Sequence, residues 1–222
     1  MIAYFIPGLG TDYRIFQKIV PLLPFEEVVY LDFRDDLIRK GEGMADYAKR
    51  LLEELKPKET ETTVIIGLSL GGMLACELAK LIPNSKLILI STIKINKESP
   101  AIFAIARKFP IYHFVPTWFS RNMVPIISRI ARVTDKAGYH LYRAMLKGWS
   151  TQKFRWARHA AVNWKNTELP ARFLHIHGTR DHIFPHKRIS GFKVIKGGSH
   201  YMVMDRADEI AEIINDELTI ME

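Results

Sequence analysis

The stretch Gly67-Leu68-Ser69-Leu70-Gly71-Gly72 places the tightest constraint on how this chain can fold. Before it runs Thr63-Val64-Ile65-Ile66, an apolar and largely β-branched segment; after it, Met73 to Ile82 carries apolar residues at helical spacing. Strand, tight turn and helix, with a serine at the apex, is the arrangement that leaves a hydroxyl exposed above a sheet. The turn forces the serine into a strained backbone conformation, and a β-carbon at Gly67 or Gly71 would collide with neighbouring chain. The same pattern also serves as a plain strand-to-helix connection, so the meaning of Ser69 depends on its partners.

Around this turn the chain alternates short apolar strands with helices. Strands are predicted over Ile2 to Ile6, Val28 to Asp32, Thr63 to Ile66, Lys86 to Ser91, Arg172 to His177 and Phe192 to Ile195. Helices are predicted from Thr11 through Leu23, over Gly43 to Leu55, after the serine turn, and over Ala207 to Leu218. Continuously apolar strands alternating with helices imply a mostly parallel sheet of about six strands, flanked by helices. The fold class is α/β, and 222 residues with 48% hydrophobic content suit one substantial core.

The alternation pauses from about Ile93 to Thr167. This segment is helical in pattern, is cut by Pro100, Pro110, Pro116 and Pro125, and holds all four tryptophans, Trp118, Trp149, Trp156 and Trp164. Residues 93–167 therefore read as a helical cap inserted after the strand ending near Ser91, with 1–92 and 168–222 forming the core. Between Lys94 and Lys165 there are fourteen Lys and Arg against only Glu98 and Asp135, within a chain of net charge +8. A localised positive field attracts anions, so an anionic substrate and peripheral contact with an acidic membrane are both open. No nucleic-acid motif accompanies the charge, and no nucleic-acid partner is expected. Aromatic residues of the insert, including Phe103, Phe109, Tyr112, Phe114, Phe119, Tyr139 and Tyr142, are expected either to pack the cap or to line a cavity below it.

Other features narrow the reading. The single cysteine, Cys76, lies within the predicted helix after Ser69 and reads as a buried apolar residue. No Cys/His cluster has zinc-site spacing. The N-terminus lacks a basic lead and a long apolar region, and no apolar run is long enough for a bilayer, so a cytoplasmic protein is expected.

A serine nucleophile needs a base, and the base needs a carboxylate that fixes its tautomer. Downstream lie His177-Gly178-Thr179-Arg180-Asp181-His182 and Gly197-Gly198-Ser199-His200, each directly after a predicted strand. Asp181 and His200 thus fall at the carboxyl edge of the sheet, where open α/β folds place their sites, in the order serine, acid, histidine. Taken singly, Asp181 could cap a turn before Pro185 and His200 could be a loop residue. His182 and His186 read as surface or loop histidines, and His175 and His177 flank the strand end.

With Pro7-Gly8-Leu9-Gly10 added to these motifs, the sequence resembles small, cap-bearing serine hydrolases of the α/β-hydrolase superfamily. The resemblance covers the sheet-forming parts and leaves the insert unassigned. It implies Ser69 as nucleophile, His200 as general base, Asp181 as orienting acid, and the backbone amides of Leu9 and Leu70 as the oxyanion hole. It also implies that the Ile2–Ile6 strand lies beside the serine strand and that the superfamily's first two strands are missing. The expected chemistry is hydrolysis of a carboxylic ester, or of a thioester, through an acyl-enzyme, with no metal, nucleotide or flavin required. Acyl transfer and carbon–carbon bond chemistry on the same triad remain open, as does a non-catalytic module that binds a small ligand.

Overall fold

A computed structural model describes residues 1–57, 62–116, 118, 122, 124–133, 135–169 and 172–220. Six strands, β1 (Ile2–Ile6), β2 (Glu27–Tyr30), β3 (Thr63–Leu68), β4 (Lys86–Ile90), β5 (Phe173–Gly178) and β6 (Lys193–Ile195), form one sheet. Their order is β2-β1-β3-β4-β5-β6, and every neighbouring pair is parallel. The Ile2–Ile6 strand does lie beside the serine strand, with Ile6 opposite Gly67.

The burial of each strand follows its place in that order. All residues of β1, β3 and β4 are buried, which is why their sequences run apolar without alternation. Burying a side chain such as Ile65 or Ile66 contributes about 1.5–3 kcal/mol. The edge strands are short and partly exposed, and Lys193 on β6 discourages pairing with another chain.

Among the described residues the helices are α1 (Met44–Leu55), α2 (Leu70–Leu81), α3 (Ala101–Lys108), α4 (Val124–Ala131), α5 (Lys136–Lys147), α6 (Thr151–Val162), α7 (Met202–Asp205) and α8 (Ala207–Ile220). Helix α2 lies across β1, β3 and β4 and packs on α1, while α8 packs on β5 and β6. The amide of Gly43 donates to the Asp46 carboxylate and closes the start of α1; Lys56 in the left-handed region ends it. No described helix is long and apolar enough to cross a membrane.

One predicted element folds differently. Residues 11–23 form two short 3-10 turns, Tyr13–Phe16 and Val20–Leu22, in place of a helix. Pro21 and Pro24 remove two backbone donors, and Asp12 takes the Arg14 amide in a turn of its own. Ile15, Phe16 and Ile19 are nevertheless buried, so the apolar spacing marked the core correctly while the helix did not form.

Helices α3 to α6 all fall between β4 and β5. They attach to the core through Trp149, whose indole N–H donates to the Thr11 carbonyl at 2.9 Å, and Trp164, whose N–H donates to the Glu77 carboxylate on α2 at 2.7 Å. Trp149 and Trp156 pack on Phe33, and Trp156 also lies 4.6 Å from Tyr47 between ring centroids. Three of the four tryptophans therefore fasten the insert to the core, whereas Trp118 is exposed. Phe119 lies outside the described residues. Lys94, one of the basic residues of the insert, is not on the surface. It is buried, pairs with Glu98 and donates to the Ser190 carbonyl, while Asn166 donates to the Lys94 carbonyl.

Candidate active site

Ser69 connects β3 to α2 with φ of 53° and ψ of −118°, the strained conformation that the flanking glycines permit. A β-carbon on Gly67 would stand 2.5 Å from the Gly71 carbonyl oxygen, and one on Gly71 would stand 2.2 Å from that of Ile6. Neither distance is tolerable, so glycine at 67 lets the start of α2 fold against the end of β3, and glycine at 71 lets the turn approach β1. The Ser69 amide donates to the Ile90 carbonyl at 3.0 Å, and the Thr92 hydroxyl donates to the Ser69 carbonyl at 2.6 Å. Thr92 is a positioning contact that the sequence pattern did not single out.

His200 reaches the serine from the loop after β6. Its Nε2 lies 2.9 Å from Ser69 Oγ, and its Nδ1 lies 2.8 Å from Asp181 Oδ2. Asp181 follows β5 and its side chain is fully buried. Its other oxygen accepts the amides of Ile183 at 2.8 Å and Phe184 at 2.9 Å, so the carboxylate is held from both sides. Burial by itself would raise the Asp181 pKa. The fields of His200 and His177, together with the hydrogen bonds from His200 and the Phe184 amide, outweigh it and hold the group below the ordinary carboxylate range. Asp181 is consequently an anion near neutral pH.

The neighbouring histidines have other duties. His177 is fully buried on β5, its Nε2 lies 2.8 Å from the Phe184 carbonyl, and burial lowers its pKa despite the nearby Asp181. As a neutral ring it donates to Phe184 and braces the loop that presents Asp181. His175 is also buried, and burial, reinforced by His177 and Lys94, pushes its pKa down to about 3. Its Nε2 therefore donates to the Thr92 carbonyl, 3.2 Å away. His182 is exposed and His186 half-buried, in the surface positions expected for them. Cys76 is buried with its thiol pKa pushed up by burial, and so is no competing nucleophile.

Leu70 is the first residue of α2, where a helix leaves its N–H groups without intrahelical acceptors. Leu9 sits in the turn after β1. Gly8 abuts the serine so closely that a β-carbon on it would lie 3.2 Å from Ser69 Cβ.

Ser69 and His200 open on a cavity of about 200 Å³. Core residues Leu9, Leu70 and Met73 and insert residues Phe103, Ala131 and Tyr142 line it, with Phe184 and Tyr201 beside the histidine. Burial, followed by the fields of Asp135 and Asp205, pushes the Tyr201 phenol up to about 12, and its buried oxygen has no hydrogen-bond partner among the described residues. Among the described residues the lining contains no Lys or Arg. A separate cleft of about 770 Å³ brings Arg155 of the insert together with Arg39 and Lys40 of the core, beside His113, His159 and Trp156. None of Ser69, Asp181 and His200 borders it.

A profile of the alpha/beta hydrolase family matches residues 3–213, and the chain belongs to that family. Among solved structures it is similar to MenH from S. aureus, with a TM-score of 0.80 and 20% identity over 99% of this chain and 93% of that one. It is also similar to a thermophilic esterase from Thermogutta terrifontis, with a TM-score of 0.71 and 20% identity over 99% and 89% of the two chains. A hydrolase from Pseudomonas aeruginosa PA01 aligns with a TM-score of 0.74 and 16% identity over 98% and 89%. Comparison with curated proteins finds no significant match.

Proposed function

We propose that the protein is a serine hydrolase that cleaves carboxylic esters of small, largely apolar acyl groups, with thioesters as a second substrate class. The observation that carries this reading is the continuous hydrogen-bonded chain from Ser69 Oγ through His200 to buried Asp181, at the mouth of an apolar cavity. Similarity to esterases supports the ester bond as the target, while the fold by itself hosts many chemistries. Residues 93–167 act in this reading as a cap that supplies one wall of the acyl pocket, over a core of 1–92 and 168–222. At about 200 Å³ the pocket falls below the range of about 300–1,000 Å³ usual for drug-sized ligands, which suits a short acyl or single-ring group.

In the first half-reaction Ser69 Oγ attacks the carbonyl carbon while His200 Nε2 accepts the serine proton. Asp181 holds the opposite N–H and stabilises the imidazolium. The amides of Leu70 and Leu9 receive the oxyanion, which main-chain donors can do whatever their side chains are. His200 then gives its proton to the departing alkoxide or thiolate. In the second half-reaction His200 deprotonates a water that attacks the acyl-enzyme, and the serine is restored with release of the acid.

Steady-state rates on short p-nitrophenyl esters test this. Ser69→Ala abolishes turnover in this reading, and Asp181→Asn lowers kcat by about 10³–10⁴, because the amide favours the wrong His200 tautomer. Unchanged rates in either folded variant would refute it.

A further inference from the structure

Eight of the twelve large apolar side chains that are exposed among the described residues fall between positions 102 and 130. On α3 they are Ile102 and Ile105, three residues apart and on one side of the helix, followed by Phe109. The next turn adds Ile111 and Phe114, at 72% and 84% exposure, and Trp118 stands at 64%. Ile126 and Ile130, four apart on α4, continue the set. Helix α3 fully buries none of its residues, while its half-buried Phe103 packs on the core. Exposed apolar side chains this concentrated in one segment are a feature of interaction sites.

The charge around it selects the partner. From Ser99 to Thr134 the sequence contains no Asp or Glu, against Arg107, Lys108, Arg121, Arg129 and Arg132. The Lys108 ammonium lies 5.6 Å from the centroid of the Phe109 ring. Two copies meeting through this face would oppose identical positive charges without a counter-charge, which disfavours self-association. Exposed aliphatic and aromatic side chains set among Lys and Arg, on short segments divided by Pro110 and Pro116, match what an anionic lipid interface attracts. Both helices of the face also border the serine cavity, α3 through Phe103 and α4 through Ala131.

We propose that the exposed apolar side chains described on α3, on the turn after it and on α4 dock on an anionic lipid surface. Ile105, Phe109, Phe114 and Trp118 enter the boundary between headgroups and acyl chains, while Lys108 and Arg129 sit at the phosphates. The docked protein holds its apolar cavity against the membrane, a placement suited to acyl substrates that partition into lipid. That last consequence rests on the ester-hydrolase reading; the docking itself does not.

Co-sedimentation of the full chain with vesicles of phosphatidylcholine alone, or with about one phosphatidylglycerol in three, tests the proposal. The protein should bind the anionic vesicles and not the neutral ones, at least tenfold more weakly when salt rises from about 50 mM to about 500 mM. Lys108→Gln with Arg129→Gln should weaken binding by roughly 25-fold, about fivefold for each charge. Ile105→Ser with Phe109→Ser and Phe114→Ser should abolish binding while leaving the melting temperature and hydrolysis of a water-soluble ester unchanged. Ser69→Ala should bind like the wild type, so that loss of catalysis and loss of docking are read separately. No binding to the anionic vesicles, wild-type binding by the charge variant or by the apolar variant, or a light-scattering dimer that the apolar variant dissociates would each overturn it.

Discussion

Acid should destabilise the folded protein through His175. In the folded chain its pKa is pushed down to about 3, because the ring is buried beside His177 and Lys94 and only the Thr92 carbonyl opposes the shift. In the unfolded chain the value returns to about 6.5. The unfolded state thus takes up a proton that the folded state refuses, and stability is lost as pH falls through 6.5 towards 3. The contribution is complete above pH 6.5, and by pH 5 the loss from this one group reaches about 2 kcal/mol. His175 donates to the Thr92 carbonyl and the Thr92 hydroxyl holds the Ser69 carbonyl, so the strained turn is the structure exposed to this loss. Urea unfolding of the wild type and His175→Gln at pH 8 and pH 5 isolates the effect, since His177 and Asp181 are common to both proteins. Glutamine can donate to Thr92 and does not titrate. The wild type should lose about 2 kcal/mol more than the variant between the two pH values. Equal losses, or a wild type stabilised by acid, would refute the assignment of a buried neutral His175.

Two further substitutions test the packing that presents the site. Gly71→Ala puts a methyl 2.2 Å from the Ile6 carbonyl oxygen and 2.4 Å from that of Pro7; it should cost about 3 kcal/mol or more in chemical denaturation and abolish ester turnover, because backbone must move on both sides. Lys94→Met leaves Glu98 charged and buried at the root of the insert; a loss of about 3–5 kcal/mol is expected by the same measurement, and an unchanged midpoint would show that the pair is not buried as described.

The legible parts of the sequence were those where local chemistry and global position agree. Val64, Ile65 and Ile66 could be read as a central strand because burial on both faces leaves no alternation to confuse, and Gly67 and Gly71 could be read because the turn admits nothing larger. Asp181 and His200 could be placed near Ser69 from their positions after β5 and β6, which a parallel sheet brings to one edge. Residues 11–23 misled because apolar spacing reports burial, whereas Pro21 and Pro24 control which backbone bonds can form. The role of Thr92 was hidden, since its bond to Ser69 spans 23 residues and depends on how β4 ends. Lys94 looked like one more cation in a basic segment, and only its contacts with Glu98 and Ser190 distinguish it. The aromatic insert was the least legible part, because the same residue types serve as anchors at Trp149, as cavity wall at Phe103 and as exposed surface at Phe114.

The assignment of Ser69 as nucleophile is tested most directly by intact-mass and peptide analysis after exposure to a fluorophosphonate. One adduct should form on the wild type and map to Ser69, be absent from Ser69→Ala, and form orders of magnitude more slowly in His200→Ala. A folded wild type that takes up no adduct, or takes it up equally well without Ser69, would contradict the account.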